Sequence, residues 1–225
     1  MRRSCEECLK DAYSDLKYLL NRGYRKSHAL KFVADHYRLS LDDRYLLARC
    51  TFPDDWISGV REKLVSSLDG GTLAVDGFNV LITIESVLDG EAIECEDGLL
   101  RDVKYQGRYR MSGRTERVIE LAVEAITAVR PDEVIFFYGR SVSKSGLIAG
   151  ITEQMMERER IRGEVRLVRS PDFILKGFDT VATADVGIIE KVRRVVDLPM
   201  IVARTRNIKP VSFLKLIEDR PQISP

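Results

Sequence analysis

Apolar residues in the first part of the chain recur every three or four positions, which is the spacing of one face of a helix. The first run consists of Leu9, Ala12, Tyr13, Leu16, Leu19 and Leu20. Similar runs follow and predict four helices, with Gly23 as a helix stop and Ser40 as a helix cap. The fourth helix is expected to open at Pro53 and to run toward Leu68.

After Gly70 the pattern changes to short apolar segments that alternate with helix-like segments. The predicted strands cover residues 72–76, 133–138, 164–168, 180–184 and 199–203. The predicted helices cover residues 79–88, 117–129, 145–160, 186–195 and 211–217, and the segment 89–112 is expected to be a polar connection. This alternation is typical of a mainly parallel sheet with right-handed crossovers. We therefore predict an α/β protein, with a helical domain over residues 1–69 and an α/β domain over residues 70–225.

Composition limits the classes of function. The 225 residues are 44% apolar and 32% charged, and 36 Lys and Arg residues nearly balance 35 Asp and Glu residues. No global basic field indicates nucleic-acid binding, so local patches would have to supply any such affinity. The apolar stretches are shorter than the roughly 20 residues that span a bilayer, and no apolar signal region follows the amino terminus. We expect a cytoplasmic protein.

The four cysteines predict neither a structural zinc site nor a disulfide. Cys5 and Cys8 have the two-residue gap of zinc ligands, but no second close pair accompanies them. His28 and His36 are also too far apart in sequence for the usual histidine pair. We expect small buried or exposed thiols in a reducing compartment.

Asp76 is the first candidate for chemistry, because it ends a buried strand and precedes a sharp turn. The segment reads Asp76-Gly77-Phe78-Asn79. A carboxylate at the carboxyl end of a strand points into the crevice where α/β proteins bind ligands. Asp76 and Asn79 could there supply oxygen ligands to a hydrated Mg²⁺ or Mn²⁺. The alternative is ordinary turn chemistry, in which Gly77 relaxes the backbone and Asn79 caps the helix.

Asp185 ends a second predicted strand, in the segment Thr183-Ala184-Asp185. Two parallel strands that finish in Asp place their carboxylates side by side. Asp179 would lie at the opposite end of this strand, at a distance approaching ~20 Å. If the segment were helical from Phe178, Asp179 would instead become a ligand and Asp185 would move away. The β-branched residues of the segment favour the strand.

Hydrolysis of a phosphodiester by two metals requires further carboxylates around the cations. Asp97 and Asp102 lie in a predicted loop that could fold over the same crevice, and Arg101 between them is a candidate substrate contact. Glu85 and Asp179 remain alternatives for this middle ligand. The predicted metal ligands are Asp76, Asp185 and Asp97, with Asp102 as a further catalytic candidate.

Basic residues near the predicted crevice suit a phosphate backbone. Lys104, Arg108, Arg110 and Arg114 alternate with two tyrosines, a mixture that favours phosphate contacts and base stacking. In a second segment, Ser143, Lys144 and Ser145 precede a predicted helix, where backbone amides hold phosphates. The alternative for Ser145 is a plain helix cap.

The amino-terminal helices carry a small basic cluster of Arg22, Arg25 and Lys26. One interpretation of this domain is an RNA-binding module that presents these cations. The other is a packing module or a dimerisation module that makes the protein a homodimer.

The segments Asp76-Gly77-Phe78-Asn79 and Thr183-Ala184-Asp185 together resemble a PIN-like domain of the nuclease superfamily with acidic metal sites. The whole layout resembles an uncharacterised archaeal family with a short helical domain before a PIN-like domain. The resemblance implies a three-layer α/β/α sandwich, Mg²⁺ or Mn²⁺ at the carboxyl ends of the strands, and RNA as substrate. It matches Asp76 and Asp185 to metal ligands, with Asn79 and Thr183 in support.

This sequence departs from the PIN-like pattern after the later acid. Asp185 is followed by four residues without a carboxylate, and the next acid is Glu190. Two functions are therefore expected as alternatives. One is a metal-dependent ribonuclease, and the other is a catalytically inactive module that binds RNA or protein.

Overall fold

A computed structural model describes residues 5–103 and 109–218. The chain begins with four helices: α1 (Cys5–Asn21), α2 (Lys26–His36), α3 (Leu41–Cys50) and α4 (Asp54–Lys63). Ser40 caps α3 as predicted, because its hydroxyl accepts a hydrogen bond from the Asp43 backbone at 3.1 Å. Helix α4 ends before Leu68, so the predicted fourth helix was too long.

Strands and helices alternate after residue 70. The strands are β1 (Thr72–Asp76), β2 (Ile93–Glu94), β3 (Leu100–Arg101), β4 (Glu133–Gly139), β5 (Gly163–Val168), β6 (Thr180–Ala182), β7 (Arg194–Val196) and β8 (Val211–Ser212). The helices are α5 (Gly77–Leu88), α6 (Thr115–Val129), α7 (Ser145–Arg158), α8 (Pro171–Leu175), α9 (Val186–Ile189), α10 (Leu198–Thr205) and α11 (Phe213–Glu218). The predicted α/β class and amino-terminal helices are confirmed.

The main sheet has five parallel strands in the order β5-β4-β1-β6-β7. Along the chain, β4 and β5 are added on one side of β1, and β6 and β7 are then added on its other side. The strand order therefore reverses between β1 and β6. Asp76 pairs with Phe137 of β4, and Val75 pairs with Ala182 of β6. In open α/β sheets such a reversal opens a crevice at the carboxyl ends of the two strands.

Helices cover both faces of this sheet, which gives three layers. Leu73 and Val75 of β1 face one core, which includes residues of α5, α6, α7 and α10. Ala74 faces the opposite core, which includes residues of α4, α8 and α9. Because both faces are covered, all of β1 after Thr72 is buried. Such strands read as continuous apolar runs rather than alternating ones.

Two segments after residue 180 differ from the prediction. Residues 199–203 form part of helix α10 and not a strand, because the Asp197 carboxylate caps the helix at the Met200 backbone (2.9 Å) and Pro199 occupies its first turn. The last strand of the sheet is β7, which begins inside the stretch that was predicted as a helix over residues 186–195 and ends one residue beyond it. The β-branched pair Val195 and Val196 suits the buried strand that forms there.

The predicted polar connection over residues 89–112 also contains structure. Strands β2 and β3 pair with each other, and β2 pairs with β8. This small sheet packs on the amino-terminal helices, and Ile93, Phe213 and Ile217 complete their core. These strands were not predicted from the sequence, because each has only two residues and shows no alternating pattern of apolar and polar positions.

A disulfide joins Cys50, at the end of α3, to Cys95, after β2. The two Cα atoms are 4.5 Å apart, and both residues are buried. The expectation of unpaired thiols was therefore wrong for this pair. Sequence spacing gave no indication of it, because 45 positions separate the two residues.

None of the helices in the described ranges has the length and apolar character needed to cross a membrane.

Candidate functional site

Asp76 ends β1 at the crevice and is only 8% exposed. Its Oδ2 accepts a hydrogen bond from the Thr183 hydroxyl at 2.9 Å. Burial raises the pKa of Asp76 to about 7, because the charged carboxylate loses its hydration. The hydrogen bond from Thr183 opposes this shift, whereas the negative charges of Asp172 and Asp185 add to it. Asp76 is thus a buried carboxylate beside other carboxylates.

The sharp turn after Asp76 is set by packing against Tyr138. A Cβ atom at Gly77 would lie 2.2 Å from Cε1 of the Tyr138 ring, so any larger residue must displace that ring. Tyr138 is itself buried and shares a hydrogen bond with Thr152. Because Gly77 is already helical, α5 begins directly behind Asp76. The turn therefore requires glycine for space, and not for the backbone freedom that the sequence analysis considered.

Asn79 joins the two halves of the crevice. Its side-chain Oδ1 accepts a hydrogen bond from the Ala184 backbone at 3.0 Å. The predicted role as the cap of its own helix is therefore not seen, because the bond goes to the segment after β6. This contact holds Ala184 against the start of α5, and so fixes the spacing between Asp76 and Asp185.

Asp185 lies three residues beyond the end of β6, which is shorter than predicted. Its Oδ1 caps helix α9 by accepting from the Ile188 backbone at 3.0 Å. Its own backbone N–H donates to the Thr183 hydroxyl at 3.1 Å. Thr183 thus links both acids, since it donates to Asp76 and accepts from Asp185. The crevice brings together four of the predicted site residues: Asp76, Asn79, Thr183 and Asp185.

Asp172 is an acidic neighbour of Asp76 that was not predicted from the sequence. It lies in the first turn of α8, four residues after the carboxyl end of β5, and it is exposed. Its negative charge raises the pKa of Asp76 by more than the charge of Asp185 does. Like Asp76, Asp172 lies where a strand of the parallel sheet is followed by a helix start, but it stands inside the helix and not at the strand end. The short helix α8 was not predicted, and so the acid was not noticed.

Lys176 brings a positive charge to the same edge. Lys176 and Asp185 both lie beside Gly187. A Cβ atom placed on Gly187 would be 3.6 Å from the Lys176 Nζ and 3.3 Å from the Asp185 Oδ1. The predicted basic residues did not include it.

The two acids proposed for the middle of the site have different surroundings. Asp97 is completely buried, and both of its oxygens accept from the Arg101 guanidinium, at 2.6 and 2.7 Å. A carboxylate neutralised in this way is a poor ligand for a further cation. Asp102 instead lines a small pocket together with Asn79 and Ala184. Of the two predicted acids, Asp102 borders the crevice.

Arg101 was predicted to contact substrate, but its side chain is only 2% exposed. Its Nε donates to the Ala184 carbonyl at 3.1 Å, while the other nitrogens bind Asp97. It therefore ties the β3 segment to the segment that carries Asp185. We assign it a positioning role.

Asp179 lies at the opposite edge of the sheet, directly before β6. It is exposed, and its carboxylate is 3.6 Å from the Arg193 guanidinium. The structure therefore does not bring Asp179, one of the alternatives for the middle ligand and a predicted supporting residue, to the crevice, because the length of the strand separates it from the crevice acids. Glu85 lies in the last turns of α5 and accepts a hydrogen bond from Tyr109 at 3.1 Å. Burial raises the pKa of Glu85.

The predicted phosphate contacts before α7 are only partly available. Ser143 and Lys144 are exposed, and Lys144 has a left-handed backbone with φ of 61°. Ser145 is buried, and its hydroxyl donates to the Arg140 carbonyl at 3.4 Å, so it neither caps the helix nor faces solvent. Lys104 and Arg108 lie outside the described residues.

The donor set of the crevice suits a hard divalent cation. Among residues 8–103 and 109–218, no group of three or more His, Cys, Asp or Glu side chains is arranged around a common metal position. Mg²⁺ nevertheless needs only one or two carboxylates, because waters and substrate phosphates complete its octahedron. Asp76 with Asp185 or Asp172 meets that requirement. A cation there would also offset the repulsion from Asp172 and Asp185, which adds to the effect of burial on the pKa of Asp76.

Comparisons with known proteins find relatives over nearly the whole chain. Residues 65–201 match a family model described as "Domain of unknown function (DUF5616)". Residues 8–63 match a second one, described as "Protein of unknown function (DUF434)". The "Uncharacterized protein MJ0935" of Methanocaldococcus jannaschii is 40% identical over 196 residues, which cover 84% of this chain and 94% of that protein. No solved structure matches the chain.

Proposed function

The chain belongs to the family described as Domain of unknown function (DUF5616), and from this premise we propose that its α/β half is a PIN-like domain with metal-dependent ribonuclease activity. The expected uncharacterised family with an archaeal member is confirmed by its 40% identical relative. One observation supports the proposed activity above all. Asp76 and Asp185 are joined through Thr183 at the point where the strand order of the parallel sheet reverses. Ligands of open α/β sheets bind at such a point.

Each residue of the crevice has a role in this proposal. Asp76 and Asp185 would hold Mg²⁺ or Mn²⁺, which when bound supplies positive charge to the phosphodiester and lowers the pKa of an attacking water. Thr183 orients the Asp76 carboxylate through its 2.9 Å hydrogen bond. Asn79 keeps the Asp185 segment at the correct distance through Ala184. Lys176, beside Asp185, adds positive charge for the substrate phosphates.

The protonation of Asp76 predicts how activity depends on pH. With a pKa of about 7, this carboxyl is partly protonated at neutral pH and cannot then bind a cation. At low Mn²⁺, cleavage should therefore increase as pH rises through about 7. Because a bound cation favours release of the Asp76 proton, this increase should move to lower pH as the Mn²⁺ concentration is raised.

The test is cleavage of a fluorescently labelled single-stranded RNA in Mn²⁺. Wild-type protein should cut the RNA, and Asp76→Asn and Asp185→Asn should reduce the rate by at least about a hundredfold, as loss of a group that stabilises transition-state charge does. Asp179→Asn is the matched control, because it removes the same charge at the opposite edge of the sheet and should keep full activity. If all three variants cleave like the wild type, the proposed site is wrong.

The ion pair between Asp97 and Arg101 favours a second function, that of a catalytically inactive module that binds RNA. The acid in the middle of the chain that would complete a two-metal site is neutralised by Arg101. The same assay separates the two functions. RNA that is bound by the wild type but left uncut in Mn²⁺ would favour the inactive module.

A further inference from the structure

A small pocket lies next to the crevice, between the amino-terminal helices and the α/β half. Arg49 of α3 lines it on one side, and Asn79, Thr83 and Ala184 line it on the other. Its volume of about 80 Å³ has room for several waters. That space suits a compact oxyanion better than a larger organic ligand, which occupies roughly 300 Å³ or more. Because Asn79 also belongs to the crevice, the pocket and the acidic site are neighbours.

Arg49 is the cation that distinguishes this pocket. Its Nε is buried and makes no hydrogen bond, and the described parts of the chain place no carboxylate within ion-pair distance of its guanidinium. The guanidinium carbon lies 5.4 Å from the centre of the Tyr45 ring, and a ring face does not neutralise the charge. Buried donors are normally satisfied, and a guanidinium is satisfied best by a carboxylate or a phosphate.

The other charged groups of the pocket do not supply that partner. Arg101 is saturated by Asp97 and by the Ala184 carbonyl. Asp102 also lines the pocket, and it already has an interaction of its own. Within the described ranges, Arg49 is therefore a cation without a counter-ion beside the crevice.

Lys26 adds to this local excess of positive charge. Its Nζ lies 3.9 Å from the centre of the Phe52 ring, and the guanidinium of Arg101 lies 4.9 Å from the same ring. Burial, together with the positive charges of Arg101 and Arg49, lowers the pKa of Lys26 to about 7. An anion bound nearby would counter that repulsion.

We propose that Arg49 binds a backbone phosphate of single-stranded RNA in this pocket, one or more nucleotides away from the phosphate at Asp76 and Asp185. The inference rests on the proposed function, because it takes the RNA strand to cross the acidic crevice. It assigns the amino-terminal helices a direct contact with substrate, made by α3. The exposed cluster around Arg22 and Arg25 is not needed for it.

The experiment measures binding of a fluorescein-labelled single-stranded RNA by anisotropy, in EDTA, so that no cleavage occurs. Arg49→Gln should weaken binding about tenfold, the effect of removing one charged hydrogen bond. The slope of log K against log salt should also become shallower by about 0.7, the share of a single phosphate on a single strand. Arg49→Lys should keep the salt slope and recover some of the affinity. Arg193→Gln is the matched control, since it removes a positive charge at the opposite edge of the sheet.

The results separate this inference from the proposed function. Weaker binding and a smaller salt slope in Arg49→Gln alone, in a variant with an unchanged melting temperature, would support binding of a phosphate by Arg49. Equal affinities of Arg49→Gln and wild type, or equal decreases in Arg49→Gln and Arg193→Gln, would overturn it and leave the acidic site untouched.

A variant that fails to fold does not end the test. If Arg49→Gln is unfolded, Arg49→Lys decides, because it keeps the charge and removes the forked geometry that grips a phosphate. A partial decrease in affinity with an unchanged salt slope would then support the proposal, and wild-type affinity would overturn it. A wild type that does not bind RNA in EDTA would overturn the phosphate site at Arg49, whereas the proposed ribonuclease is decided separately by cleavage in Mn²⁺.

Discussion

Replacing Asp76 by Asn should stabilise the fold while it removes the proposed metal ligand. The carboxylate is buried, with a pKa of about 7 in the folded protein, whereas an unfolded Asp has a pKa near 3.9. Because the folded pKa is raised, the native state binds this proton more tightly than the unfolded chain does. Stability is therefore lost as pH rises from about 4 through 7. Asn is neutral and has the same shape, and its oxygen can still accept the hydrogen bond from Thr183.

The size of the gain follows from the two pKa values. At 1.36 kcal/mol for each pKa unit, ionised Asp76 costs the fold about 4 kcal/mol at pH 8. Near pH 5 the group is protonated in the folded state, and the cost falls to between about 1 and 2 kcal/mol. Asp76→Asn should thus raise the free energy of unfolding by about 3 kcal/mol more at pH 8 than at pH 5.

Urea unfolding in EDTA at the two pH values measures this difference. Asp179→Asn serves as the control and should change stability little at either pH, because its carboxylate is exposed. In Mn²⁺ the wild type should regain stability that Asp76→Asn does not. A variant that is no more stable than wild type at pH 8, or that gains equally at both pH values, would refute the assignment of a buried, repelled carboxylate at the crevice.

Three further predictions concern the groups that hold the crevice in place. Asp97→Asn should destabilise the fold by about 3 to 5 kcal/mol, since it leaves the Arg101 guanidinium buried without its charge partner; urea unfolding checks this, and a decrease below about 1 kcal/mol would show that the ion pair is not buried. Gly77→Ala should both lower the melting temperature and abolish cleavage, because its Cβ atom would overlap the Tyr138 ring. A variant with the melting temperature of the wild type would mean that the turn relaxes easily. Cys50→Ser should cost about 4 kcal/mol, the chain entropy of a closed loop of this length, under oxidising conditions and much less in reducing agent; equal decreases in both would show that packing and not the cross-link is responsible.

Much of the fold was predictable because strands buried on both faces read as plain apolar runs. Leu73 to Val75 and the β-branched residues before Ala182 are such runs, and each is followed by an acid and a helix. The same reasoning located Asp76 and Asp185. It was least accurate where the elements are short, as in the two-residue strands β2, β3 and β8, which have no period to detect.

The contacts between distant segments were not predictable. The pairing of Cys50 with Cys95 depends on how the β2–β3 hairpin packs against α3, and the hydrogen bond from Arg101 to Ala184 depends on how it packs against the segment after β6. Residues 199–203 have the apolar, β-branched composition of a strand, but Asp197 caps them into a helix. Asp172 was missed because α8 has only five residues.

A crystal structure in Mn²⁺, with anomalous data, would show where a divalent cation binds. We predict an anomalous peak with an oxygen of Asp76 and an oxygen of Asp185 or Asp172 about 2 Å away. We predict no peak at Asp97, whose oxygens stay on Arg101. A crevice without metal at saturating Mn²⁺, or a peak at Asp97 with Arg101 displaced, would contradict the proposed site.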